Sequence, residues 1–263
     1  MVDFVSPRAI ELGVQLSATL ARPDCEFDLA VIISRLVQPD LAESALLARY
    51  AEFVEPLLSH QPEHLQGLLE WFAQAHFQPP RQGVTIQHSN LHHVLQAREG
   101  IPISLAMLML QAGRACGFTC HGINFPGHFL VRIDGLLVDP LGMQPVDPQT
   151  LAAEGAREST ASAATPQMIV LRMLNNLKAL QVHGQDLNQA LGIVDLQLEI
   201  TGPQPELAAS LHFERGEYWQ QLGAFGVAAA AFSECAATSP YPELKKQAVE
   251  RAENLRGRAE TWH

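Results

Sequence analysis

The sequence predicts an α+β domain followed by an all-helical one, and three observations carry that prediction. Apolar residues recur at helical spacing from Pro7 to His76 and again from Met168 onward. Between these regions, Thr119 to Val138 reads as three short extended segments, with Asp134-Gly135 as a two-residue hairpin turn. The stretch from Gly155 to Thr165 is small and polar and almost free of large apolar side chains, which suits a linker. The domains are therefore placed at 1–154 and 166–263, joined by 155–165.

The 263 residues carry 17 Lys and Arg against 28 Asp and Glu, a formal net charge of −11, so nucleic acid and anionic membrane are not expected partners. At 47% hydrophobic and 17% charged, the chain has the apolar material for a core. Met1 to Leu20 lacks a basic start and carries Asp3, Arg8 and Glu11, and no later run reaches the roughly 18 apolar residues of a membrane span. A cytoplasmic location is expected. Four scattered cysteines, Cys25, Cys116, Cys120 and Cys235, fit reduced thiols there, and Cys116/Cys120 has no second pair to complete a zinc site.

Within the first domain, Leu29, Ile32, Ile33 and Leu36 mark one helical face and Leu46, Leu47, Tyr50, Phe53, Val54 and Leu57 another. Pro23, Pro39 and Pro62 punctuate the runs, which gives four helices before a loop at Gln78–Gly83. Leu91 to Arg98 is helical, Gly100-Ile-Pro102 breaks it, and Ile103 to Cys116 is an apolar helix that Gly117 terminates. After the linker come five helical patterns, starting at Met168, Leu187, Glu206, Val227 and Glu243. Gly184 and Ala190 recur 39 residues later as Gly223 and Ala229, and Pro203 and Pro240 close the two units. A turn glycine, a small residue where helices touch and a closing proline are what a tetratricopeptide helix pair needs, although its usual period is about 34.

The hairpin carries a geometric deduction. With Asp134-Gly135 as the turn, Ile133 pairs with Leu136 and Leu130 comes opposite Asp139. Alternation then puts His128 on the face of Leu130, diagonal to Asp139 at roughly 7–8 Å, within side-chain reach. Phe125-Pro-Gly127 is a shaped turn presenting the imidazole, with Gly127 allowing close backbone approach.

Arg114-Ala-Cys-Gly117, His128 and Asp139-Pro140 together resemble the transglutaminase-like core of the papain-type cysteine enzymes. In that group a Gly-x-Cys opens a helix, Arg-x-x-Gly ends it, and His and Asp follow on adjacent strands. More closely, Arg98-x-Gly-Ile-Pro-Ile-Ser-Leu105, Gly122-Ile-Asn-Phe-Pro-Gly-His-Phe-Leu130 and Val138-Asp-Pro140 are similar to the SirB family, bacterial proteins with a transglutaminase-like domain and C-terminal tetratricopeptide-like repeats. The resemblance implies a papain/transglutaminase-like core with His128 and Asp139 as its inherited pair, and Asn124, Phe125, Gly127 and Pro102 lining the pocket. It also puts the family's nucleophile at position 102, where this chain has Pro102. Proline brings neither a nucleophile nor an N–H, while it fits a first helical turn well.

Three substitutes for the nucleophile are Ser104, two residues into the helix, Cys120, on the strand before the histidine, and Cys116, in the last helical turn where the negative dipole end disfavours a thiolate. Against them stand a helix-start serine satisfying backbone groups and a buried thiol. His88 and His92 have i, i+4 spacing, but no nearby carboxylate or cysteine completes a set with His93, so a solvated helix face is expected and no metal. No phosphate-binding glycine loop occurs, so no cofactor is expected. Pro102 favours a non-catalytic, regulatory protein that binds a protein or peptide through its helical repeats. The alternative is a hydrolase or amide-transfer enzyme using His128 and Asp139 with Ser104 or Cys120. The sequence carries no signal for an oligomeric state.

Overall fold

Proline and polar interruptions divide the start of the chain into four helices, α1 Pro7–Thr19, α2 Glu26–Val37, α3 Glu43–His60 and α4 Leu65–Gln74. The structure is a computed structural model that describes residues 4–125, 127–147 and 162–260. A 3-10 turn at Ile86–Ser89 leads into α5 Leu91–Ala97 and α6 Pro102–Ala115. From Leu105 to Leu110 every α6 side chain is buried, the mark of a helix packed on all sides. It lies against α2, α5 and the sheet. Gly117, at φ +89, ends it in the left-handed conformation that glycine tolerates.

The sheet has four antiparallel strands in chain order, β1 Cys120–Phe125, β2 His128–Ile133, β3 Leu136–Asp139 and β4 Gln144–Pro145. The β2–β3 register pairs Ile133 with Leu136 and Val131 with Val138. The turn therefore falls on Asp134 and Gly135, whose φ values of +46 and +89 are those of the primed turn that suits the strand twist. β4 has no counterpart in the expected elements, because two residues carry no alternation to read.

The two sheet faces differ. On one, the Cys120 sulfur lies so close to α6 that a Cβ on Gly113 would meet it at 2.6 Å. By alternation Val131, Ile133 and Val138 share that face, and all three are buried. The other face carries Ile123, Phe125, Leu130 and Leu137, a separate apolar cluster with Val146 packed against it.

Among the described residues five helices follow, α7 Pro166–His183, α8 Leu187–Thr201, α9 Pro205–Gln221, α10 Phe225–Thr238 and α11 Pro242–Glu260. The backbone forms two compact units, Ala18–Asn176 and Asp3–Ser17 with Leu177–His263. In the second unit, a Cβ at Gly13 would come within 2.7 Å of Leu196 and one at Gly192 within 2.6 Å of the Phe4 carbonyl. The Phe4 N–H also donates to Gln189 Oε1 at 2.6 Å. Helix α1 thus groups with α8, whereas the sequence division assigned it to 1–154; most of the expected linker, 155–161, lies outside the described residues. Among the described residues no helix is long and apolar enough to cross a membrane.

Candidate functional site

Ile101 approaches α6 in extended conformation and Pro102 takes the first helical position, where its missing N–H costs nothing. Ser104 is fully buried. Its hydroxyl accepts from the Ile101 N–H at 3.1 Å and donates to the Ile101 carbonyl at 2.9 Å. That proton is committed to a backbone oxygen, and the group serves the helix start.

At the other end of α6, Arg114 donates to both Glu26 oxygens at 2.6 and 2.9 Å and to the Cys120 carbonyl at 3.0 Å. This fork ties the helix end to α2 and to the start of β1. The Cys120 thiol is buried, and burial pushes its pKa up to about 12 despite the nearby Arg114 charge. Burial likewise raises Cys25 and Cys116, and takes Cys235 to about 11. An attacking thiolate needs the opposite shift.

His128 opens β2, is exposed, and pairs with Phe125 across a connection containing Gly127 at φ +77. The rings of Phe125 and His128 lie 6.4 Å apart. By register His128 and Asp139 share the Leu130 face, the one opposite α6. The Asp139 oxygens accept from the N–H groups of Leu141 at 2.9 Å and Gly142 at 3.0 Å. Those bonds fix the turn into β4.

Asn124 sits on the α6-facing side of β1 and helps line an open cleft of about 450 Å³ with Met168, Leu171, Arg172, Asn175 and Asn176. Arg172 donates to Asn124 Oδ1 and, at 2.9 Å, to the Phe125 carbonyl. Its guanidinium also lies 5.7 Å from the Phe129 ring centre. The cleft therefore presents three side-chain amides and a pinned cation, groups that pair with peptide-type donors and acceptors.

Residues 41–181 match the model of the Transglutaminase-like superfamily, more than half of the chain. The chain belongs to that superfamily. A UPF0162 protein of Xylella fastidiosa is 29% identical over 219 residues, covering 74% of this chain and 76% of its own length. A UPF0162 protein of Pseudomonas aeruginosa is 31% identical over 141 residues, 49% of this chain and 50% of its own. Mouse F-box only protein 21 is 48% identical over 42 residues, which span 16% of this chain and 7% of that protein. No solved structure matches.

Within this transglutaminase-like chain, the expected site residues fall on both sides of the sheet. His128, Asp139 and Phe125 share one face, while Asn124 and Cys120 lie on the face toward α6. Arg172, Asn175 and Asn176 were missed from sequence, although i, i+3, i+4 polar positions inside the apolar run of α7 were a readable sign of a polar stripe. The histidine reading needs correction. His88 is buried in the 3-10 turn, where its Nδ1 accepts from the Thr85 N–H at 2.9 Å, so it is not on a solvated helix face. Asn90, in extended conformation, separates that turn from α5 and caps it, which puts His88 and His92 on different elements. Among the described residues no group of three His, Cys, Asp or Glu is placed to hold a metal.

Proposed function

We propose that this chain is a non-catalytic, SirB-type member of the superfamily that acts by binding protein or peptide partners in the cytoplasm, as a regulatory component. The carrying observation is the start of α6. Where the superfamily's chemistry needs a nucleophile, Pro102 supplies none, and the nearest hydroxyl, Ser104, is buried and bonded to Ile101 at both its donor and acceptor positions. The four thiols add to this, since each has its pKa raised and none is in a disulfide. Free thiols also suit a reducing compartment.

The later helices support the binding half of the proposal as tetratricopeptide-like pairs. Gly184 and Gly223 follow the first helix of each pair, and Ala190 and Ala229 are buried in the second. At Gly216 a Cβ would meet the Phe232 ring at 2.8 Å, the close helix approach that such pairs require. Repeats of this kind offer an extended face to a partner chain, and the cleft beside Asn124 and Arg172 suits a peptide's amides.

The test is an activity assay on glutamine and peptide amides with a primary amine as acceptor. No ammonia release, amine incorporation or hydrolysis is expected. Iodoacetamide-sensitive turnover lost in Cys120→Ala or His128→Ala overturns the proposal, and so does a serine-directed probe that labels Ser104.

A further inference from the structure

Arg172 lines the cleft beside β1 with one side of its guanidinium engaged and the other left over. Its Nη1 donates to Asn124 Oδ1 and to the Phe125 carbonyl, which takes both protons of that nitrogen. The guanidinium also lies 5.7 Å from the Phe129 ring centre, so it is held on the sheet side by three contacts. What remains is the edge away from Nη1, where Nε–H and one Nη2–H point the same way and form a fork. Among the described residues neither Nε nor Nη2 has a hydrogen-bond partner, and no carboxylate acts on this cation.

The cleft around that fork has about 450 Å³ of space, and all six residues that line it belong to the Ala18–Asn176 unit. Met168, Arg172, Asn175 and Asn176 fall at i, i+4, i+7 and i+8, one stripe of α7. None of the lining residues is acidic, in a chain of net charge −11. Because Asn124 Oδ1 is taken by Arg172, its NH2 is the end left to donate. Met168 is 42% exposed and, with Leu171, gives the cleft an apolar wall.

We propose that this cleft binds the carboxylate of a peptide, from a free C-terminus or from an Asp or Glu side chain, on the Nε–Nη2 fork of Arg172. The Asn124 amide donates beside it, and Met168 and Leu171 receive the apolar side chain next to the carboxylate. A planar carboxylate meets the fork with two parallel N–H···O bonds, and its one charge matches the one guanidinium, whereas a phosphate dianion leaves a charge over. The inference rests on the reading of this chain as a peptide binder, and does not depend on the absence of turnover.

The experiment follows the Arg172 Nε–H and Asn124 NH2 signals by NMR while the full chain is titrated at constant ionic strength. The probes are acetyl-Gly-Ala-Leu with a free C-terminus, the same peptide as its C-terminal amide, and acetyl-Gly-Glu-Leu amide. Both signals should shift saturably with the free acid or the glutamyl amide, and the tighter of the two identifies the source of the carboxylate. The neutral amide should bind about tenfold or more weakly. Arg172→Gln should lose as much, but it also removes the ties to β1. Asn175→Asp keeps those ties and sets a carboxylate in the cleft, so it should weaken acid binding severalfold and, at an exposed position, melt with the parent. Equal binding of the free acid and the neutral amide overturns the inference and leaves peptide binding standing. No shift at Arg172 or Asn124 with any probe, or acid binding unchanged in both variants, also overturns it, whereas turnover in the amide assay strikes the non-catalytic reading alone.

Discussion

Glu26 keeps a buried charge because Arg114 reaches it with both arms of the guanidinium. Burial alone raises a carboxyl pKa, but here the Arg114 hydrogen bond, a backbone bond and the Arg114 charge outweigh it, and the net shift is downward from 4.5. A depressed carboxylate contributes stability that is present above its unfolded pKa and lost as pH falls through its folded value. Glu26→Ala should cost about 3 kcal/mol in urea denaturation near neutral pH, the low end for breaking a buried pair, since Asp24 still lies 3.2 Å from Arg114. Below about pH 4.5 the parent's stability should fall more steeply than the variant's. The partnership of Arg114 with Glu26 spans 88 positions and leaves no local trace in the sequence. Asp139 was read from sequence as the partner of His128, whereas its carboxylate also bonds the backbone two and three residues on in the Asp-Pro-Leu-Gly142 turn, chemistry common to aspartates that the sequence reading did not use.

Among the elements, the β2–β3 hairpin was readable residue by residue, because the Asp134-Gly135 turn and strand alternation fix the register without further information. The α6 start was readable in type, from a proline at the first position, but the burial of Ser104 depends on what packs around it. Ser104→Ala should cost about 1–3 kcal/mol, because the buried Ile101 N–H loses its acceptor, and thermal denaturation measures it. In α9 and α10 the close pairing rests on Gly216 against Phe232. Gly216→Ala should lower stability by about 1–3 kcal/mol through overpacking, and Gly216→Ala with Phe232→Leu should recover part of that loss in the same assay. Recovery failing altogether means that the glycine's role is not helix approach.

Over the whole molecule, the ordering of elements along the chain does not give their grouping in space. Apolar periodicity defines which face of α1 is buried, through Ala9, Leu12 and Leu16, but carries no address for the surface that receives it. That surface is in the unit made by Leu177–His263. A 177–263 fragment should therefore be poorly folded by circular dichroism and calorimetry, and a peptide of residues 3–19 added in trans should restore a cooperative transition. A fragment that melts cooperatively on its own refutes this role for α1. The docking of Gly13 against Leu196 also has a consequence during synthesis. At about 5–20 residues per second, α1 leaves the ribosome roughly 10–35 s before α8 exists to cover it. For that interval the apolar face of α1, Ala9, Leu12 and Leu16, has no cover from α8, so the nascent chain carries an unburied amphipathic segment until its eventual partner has been translated.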